Sequence, residues 1–170
     1  IEVLRLSHRS NRDIRVSTHC CLVSRAFGAS KIYYTGDKDE GLEDSVNKIN
    51  INWGSKFSIE YCTGALGLIK KKKTEKYTIV HLTMYGLDFK EGLKKIKNKN
   101  KLLIIVGSEK VPGEIYELAD YNLSVTNQPH SEIAALAVLI YELNNREFKK
   151  IKGKLTIKPT NKGKIVKNLR

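Results

Sequence analysis

The stretch that decides the fold covers residues 102–142 and reads LLIIVGSEKVPGEIYELADYNLSVTNQPHSEIAALAVLIYE. It opens with an apolar run, Leu102–Val106, which predicts a fully buried strand. Gly-Ser-Glu follows where that strand must turn. Pro112 then suits the first position of a helix, because that position needs no backbone N–H. The stretch therefore begins with a buried strand that turns into a helix.

A second unit of the same kind follows at once. Tyr121–Val125 predicts a short strand, and Ser131–Asn144 predicts a long helix that is apolar nearly all round and hence buried. The loop Thr126–His130 connects them. In open α/β sheets, ligands bind outside the carboxyl ends of the strands, where such loops gather. We therefore expect the functional site at the two loops of this stretch.

The chain before this stretch opens with a predicted strand, Ile1–Leu6, followed by an arginine-rich polar loop that ends at Ser17. Thr18 is a predicted N-cap for a helix over His19–Phe27. Gly28 is the predicted C-terminal stop of that helix.

Strands and helices alternate through the middle of the chain as well. Further strands are predicted over residues 31–35, 57–61 and 79–83, and the last of them delivers Met84-Tyr85-Gly86 to a loop. Asp88 is a predicted helix cap, and the run Lys70–Lys73 is interpreted as a solvated helix end. This alternation predicts the α/β class with a mainly parallel sheet.

The C-terminal segment has a different character. Leu155, Ile157 and Ile165 flank a turn rich in helix and strand breakers, Pro159–Gly163, so that Lys154–Lys167 predicts a basic β-hairpin. A disordered basic tail is the alternative. From the length of 170 residues we expect one domain over residues 1–150, with this hairpin or tail over 151–170.

The charge of the chain predicts a polyanionic partner. Its 31 Lys and Arg against 18 Asp and Glu give a formal net charge of +13. Contacts between basic side chains and phosphates favour binding, because they release counterions from the nucleic acid. A lysine-rich proteome or the charged surface of a thermophile is the alternative explanation. We expect a nucleic acid partner.

Several functional classes are excluded. The first strand is not followed by GxGxxG, which argues against a Rossmann dinucleotide site. The chain has no GxxxxGK[ST], which excludes a P-loop NTPase. The four histidines lack HExxH spacing, so no metal is expected. The three cysteines are odd in number and have no CxxC spacing, which predicts reduced thiols in a cytoplasm. No apolar run approaches a membrane span and no signal peptide opens the chain, so we expect a cytoplasmic protein without a membrane partner.

Four segments resemble one class of RNA-modifying enzymes. VGSEKVPG (106–113) is similar to the second motif, and NQPHSEIAALAVLIYE (127–142) to the third motif, of the knotted SPOUT class of RNA methyltransferases. RVSTHCCLVSRAFGAS (15–30) and HLTMYG (81–86) narrow the resemblance to the archaeal tRNA cytidine-56 2'-O-methyltransferases. The resemblance implies a deep C-terminal trefoil knot in which S-adenosylmethionine lies bent. It also implies tRNA as substrate and a homodimer as the active species.

The same resemblance implies which residues bind the cofactor. Gly107 also fits this role on physical grounds, because a residue without a side chain lets a ligand approach the backbone closely. A tight strand–helix turn without a ligand is the alternative for that segment alone. The implied residues are Leu82, Thr83, Met84, Gly107, Ser108, Glu109, Lys110, Val111, Val125, Thr126, Asn127, Gln128, Pro129, His130, Ser131 and Glu132.

The catalytic residue is less well determined, because the sequence departs from the pattern of related ribose methyltransferases. They tend to have SLNVS where this chain has PHSEI, and alignment on Phe27-Gly28 puts Leu22 where they carry a catalytic Arg. We expect Arg15, on the site side of the first helix, to act in catalysis. Arg25, about 10 Å farther along the helix axis from Thr18, is the alternative. A phosphate-binding role without catalysis is also open, since an Arg stays protonated.

The expected function is methyl transfer from S-adenosylmethionine to a ribose 2'-hydroxyl of tRNA, at the T-loop cytidine that the family modifies. Another RNA target, such as ribosomal RNA, and a non-catalytic basic RNA-binding module are the alternatives. The residues expected to contact the RNA backbone are Arg9, Arg12, Lys154, Lys158 and Lys164.

Overall fold

A single six-stranded sheet forms the centre of the protein. The computed structural model describes residues 1–107 and 110–169. The sheet has the order β3-β2-β1-β5-β4-β6, and every neighbouring pair is parallel. The predicted α/β class with a mainly parallel sheet is thus confirmed. The strands are β1 (Glu2–His8), β2 (Lys31–Gly36), β3 (Ser58–Tyr61), β4 (Thr78–Leu87), β5 (Leu102–Val106) and β6 (Tyr121–Leu123).

Helices cover both faces of this sheet. One face packs against side chains such as Cys20, Val46 and Leu136, and the other against Ile69 and Ile115. All five residues of the central strand β5 are buried, as expected for a strand covered on both sides. The helices are α1 (Ile14–Phe27), α2 (Glu40–Trp53), α3 (Ala65–Thr74), α4 (Phe89–Ile96), α5 (Gly113–Leu118) and α6 (Glu132–Leu143).

Helix α1 begins earlier than the sequence predicted. It starts at Ile14 rather than His19, and Thr18 is not its N-cap but lies inside it, where its hydroxyl donates a hydrogen bond to the Ile14 carbonyl at 2.7 Å. Threonine can bond the carbonyl four residues back inside a helix as readily as it caps one, so its position alone was misleading. The predicted stop is confirmed, because Gly28 adopts a left-handed conformation with φ of 103°.

Strand β4 also differs from its prediction. It continues to Leu87, but the ladder with β6 breaks after Leu82, and both Leu82 and Leu87 pair with Leu123. The Met84-Tyr85-Gly86 segment is therefore extended and yet bulges out of the ladder. A side chain at Gly86 would meet the Asn122 carbonyl oxygen at 2.6 Å, so a glycine is needed where the two backbones cross.

The other boundaries shift by small amounts. The predicted strand at 121–125 ends at Leu123, and Ser131 and Asn144 cap α6 rather than belonging to it. Pro112 is the N-cap of α5 instead of its first residue. Asp88 caps α4 as predicted, with its carboxylate accepting hydrogen bonds from two backbone N–H groups.

The lysine run of α3 is only partly solvated, which corrects its interpretation as a solvated helix end. Lys72 is 5% exposed, and its Nζ lies 2.8 Å from Glu2 Oε2 and 2.9 Å from Glu75 Oε2. Burial of one lysine of the run needs these two carboxylates, because an unpaired buried ammonium would be strongly disfavoured.

The C-terminal segment forms a separate antiparallel ladder. It consists of β7 (Leu155–Ile157) and β8 (Val166–Asn168), and the Lys158 N–H donates to the Ile165 carbonyl at its closed end. None of the helices in the described residues is long and apolar enough to cross a membrane.

Candidate functional site

A cavity of about 630 Å³ opens at the carboxyl ends of the central strands. Its volume lies within the range of about 300–1,000 Å³ that is typical of small-molecule sites. Four segments build it: the N-terminal turn of α1, the bulge of β4, the β5–α5 loop and the β6–α6 loop. The lining residues are Arg9, Arg12, Asp13, Val16, His81, Leu82, Thr83, Met84, Tyr85, Gly107, Val111, Tyr116, Leu123, Val125, His130, Glu132 and Ala135.

Half of the predicted cofactor residues lie in this lining. They come from all three predicted segments, so the structure brings together positions that are far apart in sequence. Their side chains supply apolar walls as well as a hydroxyl, an imidazole and a carboxylate. These residues are Leu82, Thr83, Met84, Gly107, Val111, Val125, His130 and Glu132.

Six other predicted cofactor residues are described by the structure and do not belong to the cavity lining. Asn127 donates a hydrogen bond from Nδ2 to the Met84 carbonyl at 2.6 Å, which ties the β6–α6 loop to the bulge of β4. Ser131 caps α6 by accepting a hydrogen bond from the Ile133 N–H. Lys110, Thr126, Gln128 and Pro129 are exposed. Ser108 and Glu109 lie outside the described residues.

The N-terminal turn of α1 contributes charge to the cavity. Arg9 donates from Nε to Asp13 Oδ2 at 2.8 Å and from Nη2 to Oδ1 at 3.1 Å. This pairing holds the pKa of the Asp13 carboxyl below its usual value. Asp13 and Val16 were missed at the sequence level, because the predicted helix began after both of them.

His81 was also missed, although it precedes a predicted residue on the same strand. Asn122 donates from Nδ2 to the Tyr116 carbonyl at 2.9 Å, which turns its Oδ1 toward His81 Nδ1 at 2.9 Å. An amide oxygen can only accept, so His81 Nδ1 carries the proton. Burial lowers the pKa of His81, so the neutral imidazole is favoured. The alternation of apolar and polar residues in β4 could not have revealed this network.

Arg5 is a further residue that sequence reasoning did not assign to the site. It is 2% exposed, and its guanidinium donates from Nη1 to the Gly107 carbonyl at 2.6 Å and to the Leu6 carbonyl at 2.8 Å. Its Nη2 lies 3.5 Å from Glu132 Oε1. A charged residue within the apolar context of β1 is the signal that could have drawn attention to it.

The two candidate catalytic arginines lie outside the cavity lining. Arg15 is exposed on the first turn of α1, while Arg12 just before that helix lines the cavity. Arg25 is largely buried and donates hydrogen bonds to Asn50 Oδ1 and to the Gly54 carbonyl. These contacts tie the end of α1 to the end of α2, so the geometry favours a structural role for Arg25.

The predicted RNA contacts fall into two places. Arg9 and Arg12 line the cavity, whereas Lys154, Lys158 and Lys164 are exposed on the C-terminal ladder or the turn that closes it. Among the described residues, no group of three His, Cys, Asp or Glu side chains is placed to hold a metal ion.

The lining of the cavity combines apolar side chains with polar and charged ones. Apolar walls come from Leu82, Leu123 and Val125, and hydroxyl groups come from Thr83, Tyr85 and Tyr116. Gly107 also has a close neighbour within the protein. A Cβ at Gly107 would meet Val111 Cγ2 at 2.4 Å, so the glycine makes room for a wall of the cavity.

Comparison with solved structures places this fold in one class. The structure of the TrmH/SpoU tRNA modifying enzyme of A. aeolicus superposes with a TM-score of 0.64 at 16% identity, covering 85% of this chain and 73% of that one. The SpoU methyltransferase AviRb from Streptomyces viridochromogenes, solved with the cofactor AdoMet, gives a TM-score of 0.62 at 13% identity over 86% and 57% of the two chains. The fold is that of the SpoU/TrmH methyltransferases.

Sequence comparison then gives the family. The model of the family described as tRNA ribose 2'-O-methyltransferase, aTrm56, matches residues 53–167. The tRNA (cytidine(56)-2'-O)-methyltransferase of Methanosphaera stadtmanae is 46% identical over 173 aligned residues, which cover 99% of both chains. The chain belongs to the aTrm56 family of tRNA ribose 2'-O-methyltransferases.

Proposed function

We propose that this protein transfers a methyl group from S-adenosylmethionine to the ribose 2'-hydroxyl of cytidine 56 in tRNA. The observation that carries the proposal is the convergence of four segments around one cavity in a chain of this family. The expectation of a tRNA 2'-O-methyltransferase is supported by the match of the family model and by the similarity to the Methanosphaera enzyme.

The cavity is the proposed cofactor site. Its apolar walls at Leu82, Leu123 and Val125 suit a purine ring, and the backbone groups beside them can bond its edge. Asn127 fixes the Met84 carbonyl, so the rim of the cavity is held in place from the β6–α6 loop. When bound, S-adenosylmethionine supplies an electrophilic methyl group on its sulfonium.

The residues of the chain have to position the ribose and to stabilise the negative charge that develops on its 2'-oxygen. Alignment of the 2'-oxygen with the methyl group accounts for much of such catalysis, and fixed cations stabilise the oxygen as it loses its proton. Arg12 lines the cavity and Arg15 follows on the first turn of α1. Arg15 remains the proposed catalytic residue, with Arg9 and Arg12 holding the flanking phosphates.

The C-terminal ladder is proposed to hold the RNA farther from the reaction. Lys154, Lys158 and Lys164 are exposed on it, and the net charge of +13 favours a polyanionic partner. We divide the chain accordingly into a methyltransferase domain, residues 1–150, and an RNA-binding appendage, residues 151–170. The free, largely buried thiols are consistent with the proposed cytoplasmic location.

A homodimer is proposed because α6 keeps an apolar face uncovered. Val138 is 40% exposed, and Ala134, one turn earlier on the same face, is also exposed. Ile14 at the start of α1, the helix that packs beside α6, is 50% exposed. A second copy packed on the exposed face of α6 would bury Ala134 and Val138.

The trefoil knot is proposed from the crossing of β4 over β6. Gly86 packs directly on the backbone of Asn122 and Leu123, and the Ser124 N–H donates to the Leu87 carbonyl at 2.9 Å. The bulged end of β4 therefore lies directly against the backbone of β6 before the chain continues into α4. Chains in which one segment is threaded through a loop of another are rare.

The test of this function is methylation of a defined tRNA. We expect an unmodified tRNA transcript to accept one methyl group at cytidine 56, as mapped by mass spectrometry of nuclease fragments. The matched control is the same transcript carrying 2'-deoxycytidine at that position, which offers no acceptor oxygen. Equal methylation of both substrates would contradict the proposal.

A further inference from the structure

The buried arginine of β1 lies at the junction of the two cofactor loops. Arg5 pairs in register with Val106, the last residue of β5, and its guanidinium reaches the carbonyl of Gly107, the first residue after that strand. On its other side it faces Glu132, the first residue of α6, at 3.5 Å. One side chain therefore touches both loops that follow the strands of the cavity.

The shape of the group matters for this contact. A guanidinium is a planar fork that can serve acceptors in two directions, whereas the ammonium of lysine acts as a point charge. Nη1 serves the carbonyls of Leu6 and Gly107, and Nη2 faces the carboxylate of Glu132. Bonds from a charged donor are shorter and stronger than neutral ones, in keeping with the 2.6 Å to Gly107.

Stability of the fold does not explain this arrangement. The Arg5 side chain is 2% exposed and that of Glu132 is 33% exposed, so the guanidinium loses its hydration while the carboxylate keeps part of its own. Buried ion pairs are often no more stabilising than well-packed apolar residues. Among the described residues, the hydrogen bonds and the ion pair of this charge in an apolar strand reach Leu6, Gly107 and Glu132, and two of these three residues line the cavity. This direction of its contacts indicates a role at the site.

We propose that Arg5 is a positioning residue that sets the distance between the Gly107 loop and the N-terminus of α6, and thereby keeps the cavity open to the width that the cofactor needs. This inference rests on the proposed function only in naming S-adenosylmethionine as the occupant. Arg5 itself does not line the cavity, so it acts through Gly107 and Glu132, which do.

The test compares the affinity of purified variants for S-adenosylmethionine by calorimetry, in the absence of RNA. Arg5→Met removes the charge at similar length, and we expect the Kd to rise about tenfold or more, as for the loss of one charge-assisted hydrogen bond. Arg5→Lys keeps the charge but not the fork, so an intermediate Kd is expected. A double-mutant cycle of Arg5→Met with Glu132→Gln should be strongly non-additive in Kd, which a general loss of stability would not produce.

Lys72→Met is the matched control. Lys72 is also a buried cation paired with carboxylates, but it contacts Glu2 at the start of β1, at the opposite edge of the sheet. We expect Lys72→Met to lower the melting temperature and leave the Kd unchanged.

The outcomes separate the two proposals. If the wild-type protein does not bind S-adenosylmethionine, the proposed function fails. If the wild type binds but folded Arg5→Met binds within about twofold of it, the positioning role is overturned while the function stands. Should Arg5→Met not fold, the same criterion is applied to Arg5→Lys.

Discussion

A single methyl group added at position 107 tests how closely the cavity is fitted to its ligand. An ideal Cβ on Gly107 would lie 2.4 Å from Val111 Cγ2, whereas ordinary contact begins at 3.4 Å, so Val111 must move by about 1 Å in Gly107→Ala. In the free protein Val111 can turn into the cavity that it lines. A bound cofactor prevents that movement, so the strain falls on the complex.

The expected magnitude follows from the cost of overpacking. Inserting one methyl group into a packed site costs about 1–3 kcal/mol, which corresponds to roughly a 5- to 150-fold rise in Kd when the cost falls on the bound state. Calorimetric titration with S-adenosylmethionine measures this change directly. The double variant Gly107→Ala/Val111→Ala should regain most of the affinity, because the clashing methyl group is gone.

Gly113→Ala is the control for this experiment, since a Cβ at Gly113 meets no atom within 4 Å. It should bind the cofactor like the wild type. The reasoning is refuted if Gly107→Ala lowers the melting temperature but keeps the wild-type Kd. The strain between the added methyl group at position 107 and Val111 would then already be present in the free protein. The cofactor would lie elsewhere.

Three other predictions concern the RNA and the assembly. Arg15→Ala should lower the single-turnover methyl-transfer rate at saturating tRNA and leave the affinity for the cofactor unchanged. Arg12→Ala should mainly raise the KM for tRNA. The opposite pattern would move the catalytic role to Arg12. Val138→Glu should convert a dimer into a monomer near 19.3 kDa in sedimentation experiments, and a wild type that already sediments at that mass would exclude the dimer. Three variants test the C-terminal ladder: Lys154→Ala, Lys158→Ala and Lys164→Ala. Each should reduce the slope of log Kobs for tRNA against log salt concentration by about one unit per lost phosphate contact. An unchanged slope would place the RNA elsewhere.

Local rules were sufficient for much of the fold. The apolar run of β5, the cap at Asp88 and the stop at Gly28 each depend on interactions within a few residues, and all three appear in the structure as predicted. The edge of the sheet that carries the cavity also followed from the sequence, because parallel strands with short loops bring their carboxyl ends together.

The parts that escaped prediction depend on contacts between distant segments. Whether Thr18 caps a helix or bonds back inside one depends on where the preceding arginine-rich turn leads the chain. The bulge in β4 exists because Gly86 crosses the backbone of a strand that comes more than thirty residues later, and no pattern within HLTMYG encodes that crossing.

The cluster of arginines near the N-terminus shows how position within the fold separates residues that look equivalent in sequence. Strand β1 is covered by helices on both faces, and its residues 3–6, which include Arg5, are all buried. Arg5 lies beside the last residue of β5, so its guanidinium reaches the carbonyl of the loop that follows β5 and the carboxylate at the N-terminus of α6. Arg9 and Arg12 come after the end of β1 and line the cavity, where they can reach phosphates of the RNA. The burial of Arg5 therefore separates its proposed role of shaping the site from the proposed role of Arg9 and Arg12, which is to contact the RNA.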